Sequence, residues 1–250
     1  MRTGAILLVG GASTRMGRSK ATLDWHGEPL AARVARVLAR AVGAGQVVAV
    51  RAPGQDLPGL PGYVEVVDDP AEGDGPLRGL AAGLAALQGR ADVAFVSAVD
   101  VPFLDAAFVT AVLGAVGPDD DVAAPVAHGR RHPLAAAYRV ALLPLCEELL
   151  AAGERRPNVL LDRVRTRSLE YAGPEPDALR NVNTPDEYAE AHRREAPKVT
   201  VEAPGGLVEL GAWHLREAVG DLGLGVAING EEIVPDPWFP LAAGDHISLR

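Results

Sequence analysis

Through the first two-thirds of the chain, short apolar runs alternate with stretches in which apolar residues recur at helical spacing. The runs Ala5 to Val9, Gln46 to Val50, Tyr63 to Val67 and Val93 to Val99 predict buried strands, because strands covered on both faces are apolar at successive positions. Between the first two, Pro29 stands at a helix start and Leu30, Val34, Val37 and Leu38 form an apolar stripe, giving one β-α-β unit. A second helix is predicted from Leu77 to Leu87. A third runs from Asp105 as N-cap to Val116, where Gly117-Pro118 stops it. This alternation predicts an α/β, Rossmann-like domain with a mostly parallel sheet and crossover helices.

Further along, Asn181-Val182-Asn183 reads as a strand end, and Thr184-Pro185-Asp186-Glu187 starts a helix with capping-box spacing and proline at the first helical position. The charged helix ends near Arg193-Arg194-Glu195, and Ala196-Pro197 reads as a short linker. Beyond it the pattern changes to short strands and glycine turns. The pieces are Val199 to Glu202, a Pro204-Gly205-Gly206 turn, Leu207 to Leu210, a helix near Trp213 to Leu222, Val226 to Ile228, an Asn229-Gly230 turn, and His246 to Leu249. The expected organisation is a large domain over 1–195 and a small β-grasp-like domain over 198–250.

Composition narrows the choice of partner. The 250 residues are 48% hydrophobic, enough for one full α/β core and a small second module. A formal net charge of −9 removes the basic excess that a nucleic-acid or lipid-surface binder would use, so neither is expected as a partner. A small anionic substrate remains compatible, since a few local cations suffice to hold it. Cys146 is the sole cysteine and sits in the helical pattern Leu142, Leu145, Cys146, Leu149; it is expected in the core, and an internal disulfide or multi-cysteine zinc site is excluded. With no signal-like or membrane-spanning run after Met1, a cytoplasmic location is expected.

Candidate chemistry gathers after the first strand, in Gly10-Gly11-Ala12-Ser13-Thr14-Arg15-Met16-Gly17-Arg18-Ser19-Lys20. Glycines let backbone N–H groups approach phosphate oxygens, and Arg15 and Lys20 supply compensating charge. Two glycines alone would equally suit a tight turn, but a turn requires none of Ser13, Arg15, Met16, Gly17 and Lys20. The run is neither a Walker loop nor the dinucleotide G-x-G-x-x-G pattern. In Ala98-Val99-Asp100-Val101-Pro102, a carboxylate follows a buried strand at the sheet edge where open α/β folds bind ligands; Asp100 is a candidate Mg²⁺ ligand facing a triphosphate. Asp68 and Asp69 are further acidic candidates at that edge. His26, His128, His192, His214 and His246 show no metal-like pairing and read as structural or solvated, whereas His132, beside Arg130 and Arg131, is a candidate contact for an anionic acceptor.

Four stretches carry a resemblance in collinear order: Leu7 to Leu23, Gly75-Pro76-Leu77-Arg78-Gly79, Val99-Asp100-Val101-Pro102 and Asn181-Val182-Asn183-Thr184-Pro185. Arg131-His132-Pro133 and Ala152-Gly153-Glu154-Arg155-Arg156 add to it. Over about residues 4 to 194 the chain resembles the molybdenum cofactor guanylyltransferase family, whose first motif is shared with sugar nucleotidyltransferases and cytidylyltransferases. The resemblance implies a nucleotidyltransferase that uses Mg·GTP and molybdenum-bearing molybdopterin, yielding the guanine dinucleotide cofactor and pyrophosphate. It implies that Gly10, Gly11, Ala12, Ser13, Arg15, Gly17 and Lys20 hold the triphosphate, with Arg15, Lys20 and Asp100 catalytic and Asp100 holding Mg²⁺. It further places Gly75, Gly79 and Asp69 at the nucleotide, and Asn181 and Asn183 at the acceptor. Arg51, at the end of Val48-Ala49-Val50-Arg51, departs from the asparagine common in the family near the nucleoside, which loosens the guanine assignment, while Gly75-Pro76-Leu77 favours it.

From Trp213 onward the chain is similar to the small sulfur-carrier proteins of thiamine and molybdopterin synthesis, but it lacks their terminal Gly-Gly, reading Ser248-Leu249-Arg250 instead. Two expectations stand side by side: a docking or stabilising module that meets cofactor-pathway proteins or molybdoenzymes, and a degenerate fused domain with no present role. Two other functions fit the same residues: cytidylyl or other nucleotidyl transfer to molybdopterin or a sugar phosphate, and non-catalytic nucleotide sensing.

Overall fold

The computed structural model describes the chain apart from residues 11–18, 71–74, 174, 204, 221–224 and 250. Among the described residues, the large sheet and its helices comprise, in chain order, β1 (Thr3–Leu8), the hairpin β2 (Asp24–Trp25) and β3 (Glu28–Pro29), α1 (Leu30–Val42), β4 (Val47–Arg51), β5 (Glu65–Asp68), α2 (Pro76–Ala86), β6 (Val93–Ala98), α3 (Ala106–Gly114), β7 (Val122–Ala127), β8 (Arg130–Arg131), β9 (Ala135–Arg139), α4 (Leu143–Ala151), α5 (Pro157–Leu161), β10 (Thr166–Tyr171) and α6 (Pro185–His192). The sheet order is β10-β7-β9-β6-β1-β4-β5, with β8 on β7; β9 runs antiparallel to both neighbours, and the pairs of β1 with β4 and β6, β4 with β5, and β7 with β10 are parallel.

The unbroken apolar run of β1 is explained by burial on both faces. Ala5 and Leu7 point into a core shared with α1 and α3, while Ile6 and Leu8 point into another shared with α2 and α4. Cys146 is fully buried in the second core, where burial pushes its thiol up to about 12. No helix among the described residues is long and apolar enough to cross a membrane.

The C-terminal part holds β11 (Lys198–Ala203), β12 (Gly206–Gly211), α7 (Leu215–Val219), β13 (Val226–Ile228), β14 (Glu231–Ile233) and β15 (His246–Leu249). These strands form a separate sheet in the order β12-β11-β15-β13-β14, with β15 parallel to β11. Val199, Val201, Leu215, Val226, Ile228, Leu241 and Ile247 give it an apolar core of its own. It is joined to the large sheet's side through one face of α1. There Arg33 donates to the Trp213 carbonyl at 2.9 Å, Arg36 to Asp236 at 2.8 Å, and Arg40 to both carboxylate oxygens of Asp245 at 2.7 and 2.6 Å.

Several expected elements shift. The strand expected over 63–67 forms as Glu65–Asp68 and is largely exposed, because it is the edge of the sheet rather than a buried strand. Pro29 caps α1 instead of opening it, with φ −62° and ψ 137°. The helix expected from Trp213 starts at Leu215, because the His214 ring accepts from the Glu217 amide as an N-cap. No strand ends at Asn181-Val182-Asn183; this stretch is irregular and is tied to the sheet edge by the bond from the Val182 amide to the Asp100 carbonyl at 2.9 Å. The Asp105 N-cap and the Thr184–Glu187 capping box form as read.

Candidate active site

Parallel pairing puts the first two candidate segments side by side. Leu8 is in register with Ala98, so the chain leaves β1 through Val9-Gly10 and β6 through Val99-Asp100 at the same, C-terminal edge of the sheet. Gly10 is exposed there, and a Cβ on it would lie 3.1 Å from the Ala52 amide nitrogen after β4. Gly11, Ala12, Ser13, Arg15 and Gly17 lie outside the described residues.

At that edge three side chains from distant sequence positions meet. Lys20, in a 3-10 turn over Lys20–Thr22, donates through Nζ to Asp100 Oδ2 at 2.7 Å and to Asn183 Oδ1 at 2.8 Å. The Lys20 and Asp100 side chains are 17% and 13% exposed, so the charges are only partly solvated and the pair interacts more strongly than a surface pair. The Val182–Asp100 bond brings Asn183 to the edge, and the Glu187 carboxylate, accepting from the Asn183 amide at 2.6 Å, fixes its backbone. Asp100 Oδ1 is buried without a hydrogen-bond partner. An uncompensated carboxylate oxygen is costly, and a hard cation is the ligand that satisfies it. The described residues contain no cluster of three or more His, Cys, Asp or Glu arranged for a metal. The donor set therefore suits an ion held by one carboxylate, water and substrate phosphates, the usual manner of Mg²⁺.

The second group stands across β4 and α2. Gly75 precedes α2 at φ +81°, and a Cβ there would lie 2.8 Å from the Arg155 carbonyl oxygen, which itself accepts from the Leu77 amide at 3.2 Å. Gly79 faces Leu8, and its missing Cβ also leaves room for Asp69, whose Oδ2 would lie 3.8 Å from that atom. Asp69 is held by its amide's bond to the Arg51 carbonyl at 2.7 Å. Asp68 turns instead to Arg51, accepting from Nε at 2.6 Å, so Asp69 and not Asp68 stands beside Gly79.

The third group lines a pocket of about 180 Å³ on the β8–β9 side, bounded by Arg130, Arg131, His132, Asn158 and Asn181 and floored by Ala98. Arg130 and Arg131 form a short strand on β7. His132 Nε2 is 3.4 Å from Glu175 Oε1; burial, with Arg130 adding to it, holds the imidazole below its ordinary value despite the opposing pull of Glu175. Asn181 and Asn183 thus separate, one to this pocket and one to Lys20. Two contributions were missed in the sequence: Asn158 on α5, and the buried Tyr138 hydroxyl, which donates to the Pro133 carbonyl at 2.8 Å and fixes the turn beneath His132. Asn158 carried no signal beyond its place after Arg155-Arg156-Pro157, and Tyr138 lay inside an apolar strand.

His26, His192 and His214 come together away from this edge, with the His26 and His192 rings stacked at 4.2 Å and His214 Nε2 3.1 Å from the His26 carbonyl oxygen. They are packed residues, as the sequence suggests for each singly.

Residues 5–168 match the family described as MobA-like NTP transferase domain. A molybdenum cofactor guanylyltransferase from Rhodobacter capsulatus is 39% identical over 196 residues, which cover 78% of this chain and 97% of the relative. Among solved structures, molybdopterin-guanine dinucleotide biosynthesis protein A from Archaeoglobus fulgidus aligns with a TM-score of 0.59 at 24% identity, over 76% of this chain and 96% of that one. The 2-C-methyl-D-erythritol 4-phosphate cytidylyltransferase from Thermus thermophilus aligns at 0.56 and 18% identity, over 75% and 96%. The two structural matches establish the α/β nucleotidyltransferase fold. The chain belongs to the MobA-like NTP transferase family and is a nucleotidyltransferase.

Proposed function

We propose that this protein transfers GMP from Mg·GTP to molybdenum-bearing molybdopterin in molybdenum cofactor biosynthesis, releasing pyrophosphate. The observation that carries the reading is the meeting of Lys20, Asp100 and Asn183 at the sheet's ligand edge, with the orphaned Asp100 oxygen among them. The guanine and molybdopterin assignments are supported by the Rhodobacter relative's name and by Gly75, Gly79 and Asp69 lying together beside the same edge.

In this reading a terminal phosphate oxygen of the acceptor attacks the α-phosphorus in line. A new P–O bond forms to that oxygen as the bond from the α-phosphorus to the β-phosphate's bridging oxygen breaks, and pyrophosphate leaves with the electron pair. A phosphate oxygen ionised at neutral pH needs no general base, so positioning and charge compensation supply the rate. Lys20 would turn its ammonium to the phosphates, Asp100 would hold Mg²⁺, and Gly10 with the 11–17 stretch, including Arg15, would hold the triphosphate. The ion, when bound, draws charge from the phosphate oxygens and eases the departure of pyrophosphate. Asn181 and His132 would hold the acceptor, with Asn183 orienting Lys20 toward it. A division into domains over 1–195 and 198–250, with a β-grasp fold for the second, and a cytoplasmic location belong to the same reading.

The test is incubation with Mg·GTP and molybdopterin and identification of the product by mass. A guanine dinucleotide is the expected product. A cytidine dinucleotide formed preferentially from mixed GTP and CTP would overturn the guanine assignment, for which Arg51 in place of an asparagine is the specific reason to include CTP.

A further inference from the structure

Behind the candidate site lies an aromatic cluster to which each of its three segments contributes. Trp25, 1% exposed, follows Lys20 by five positions in the hairpin that continues its turn. Its ring meets Phe103 edge-on at 5.5 Å, in the turn that follows Asp100, and His192 at 5.7 Å, at the last residue of the helix that Asn183 precedes. The fourth member comes from outside the large sheet: Trp213, between β12 and α7, contacts Trp25 at 5.4 Å, stacks on His26 at 5.0 Å and lies 6.1 Å from Phe103.

From this arrangement we infer that Trp213 is a positioning residue for nucleotidyl transfer, and that the C-terminal sheet serves the reaction by holding it in place. The inference rests on the proposed roles of Lys20, Asp100 and Asn183. The physical argument is that those three side chains meet only if their segments keep a fixed separation. Alongside the bond of the Val182 amide to the Asp100 carbonyl and that of the Tyr188 hydroxyl to the Asp24 carbonyl, the segments are joined by packed ring edges. Aromatic rings packed edge to face resist sliding in two directions, so removing one wall frees the other three to shift. Trp213 is 8% exposed and is itself anchored: Arg33, almost fully buried on α1, donates to its carbonyl, and its amide donates to Glu217 at 2.6 Å. The hairpin is held from the same side, with His214 on the His26 carbonyl and Trp238 against Gly27, where a Cβ would lie 3.1 Å from the Trp ring. The family match ends at residue 168, so this chain draws Trp213, one wall of the cluster, from beyond that match.

The test compares Trp213→Ala, Trp213→Phe and Val201→Ala in the full chain, measuring pyrophosphate release at saturating and subsaturating Mg·GTP together with thermal unfolding. Val201 lies in the C-terminal sheet's own core, while Trp25 and Trp213 belong to the core of the large sheet, so its variant serves as the control for loss of stability. Trp213→Ala is expected to lower kcat by about ten- to hundred-fold with a smaller change in KM, the signature of misplaced groups. Trp213→Phe restores kcat to within a few-fold, and Val201→Ala keeps it while lowering the melting temperature. Wild-type kcat in Trp213→Ala, or an equal kcat loss in Val201→Ala, overturns the inference. Should Trp213→Ala fail to fold, Trp213→Leu, which fills volume without ring edges, carries the same comparison. Lys20→Ala and Asp100→Ala run alongside. If they retain turnover, the reading of the site fails; if they lose it while the Trp213 variants do not, only the positioning role fails.

Discussion

Lys20 and Asp100, 80 residues apart in sequence, form an ion pair at 2.7 Å in which one oxygen of the carboxylate is engaged and the other is buried and unpartnered. The pair leaves capacity for a cation beside an ammonium that also bonds Asn183. Asp100→Asn keeps an oxygen for Lys20 and removes the charge, so it is expected to fold as wild type while losing about 10²–10³ in kcat, as loss of one preorganised charge contact does. Raising Mg²⁺ should not restore it. Pyrophosphate release across a magnesium titration, beside a melting curve, checks both halves.

Gly75 is required by geometry before any ligand is considered. Its φ of +81° disfavours a side chain, and the Arg155 carbonyl leaves 2.8 Å where a Cβ would sit. Gly75→Ala should cost about 1–3 kcal/mol from backbone strain alone. It should also weaken Mg·GTP binding, because relief requires the start of α2 to move away from the 155 segment. Urea unfolding and nucleotide titration of one preparation separate the two effects. An unchanged midpoint would show that the turn relaxes elsewhere.

Much of the fold was legible in the chain because it depends on local signals: β1 by its apolar run, α3 and α6 by Asp105 and Thr184, and the shared sheet edge by the placement of Gly10 and Asp100 just after their strands. What could not be read was lateral. Nothing near Asn181 and Asn183 says that one faces a pocket with His132 while the other bonds Lys20, since that separation follows from the bond of Val182 to the Asp100 carbonyl. The sequence does not say what the Arg33, Arg36 and Arg40 stripe on α1 meets; the C-terminal sheet supplies Trp213, Asp236 and Asp245 to it. Likewise, His26, His192 and His214 show no pairing by spacing and meet only through docking of the hairpin.

That stripe gives the third prediction. Asp245 is 4% exposed at its side chain. Burial pushes its carboxyl up, but Arg40, the Ala242 amide and Asn229 outweigh this and hold it below the ordinary range. Arg40→Leu removes the bidentate partner and leaves a buried charge, which costs about 3–5 kcal/mol. The loss should appear first as separation of the C-terminal sheet, so limited proteolysis near Ala196-Pro197 is expected to accelerate before the large sheet unfolds. Cleavage at the wild-type rate would mean that the remaining contacts hold the interface without this pair.

Acid should loosen the same interface through His26. Burial, then His192, with His214 and Arg33 adding to them and Glu217 opposing, lowers its imidazole from 6.5 to about 4. Between those values the unfolded chain binds a proton that the folded chain refuses, so stability rises with pH through the window, is complete above about 6.5 and is lost on descent toward 4. Glu28, pushed up to about 7 by burial against the pull of Arg36 and Arg33, contributes the opposite slope, its stabilisation fading as pH rises through about 7. A wild-type profile alone would blur the two. His26→Asn keeps a side chain tolerant of the residue's φ of +51° and removes the imidazole with its stacking on His192 and Trp213, a pH-independent loss, while Glu28 stays in both proteins. The difference in unfolding free energy between wild type and variant should therefore shrink from pH 7 to pH 4, by up to about 2 kcal/mol after allowance for partial exposure. A constant difference across that range would show that His26 keeps its ordinary titration and that the stacked rings open to water as the pH falls.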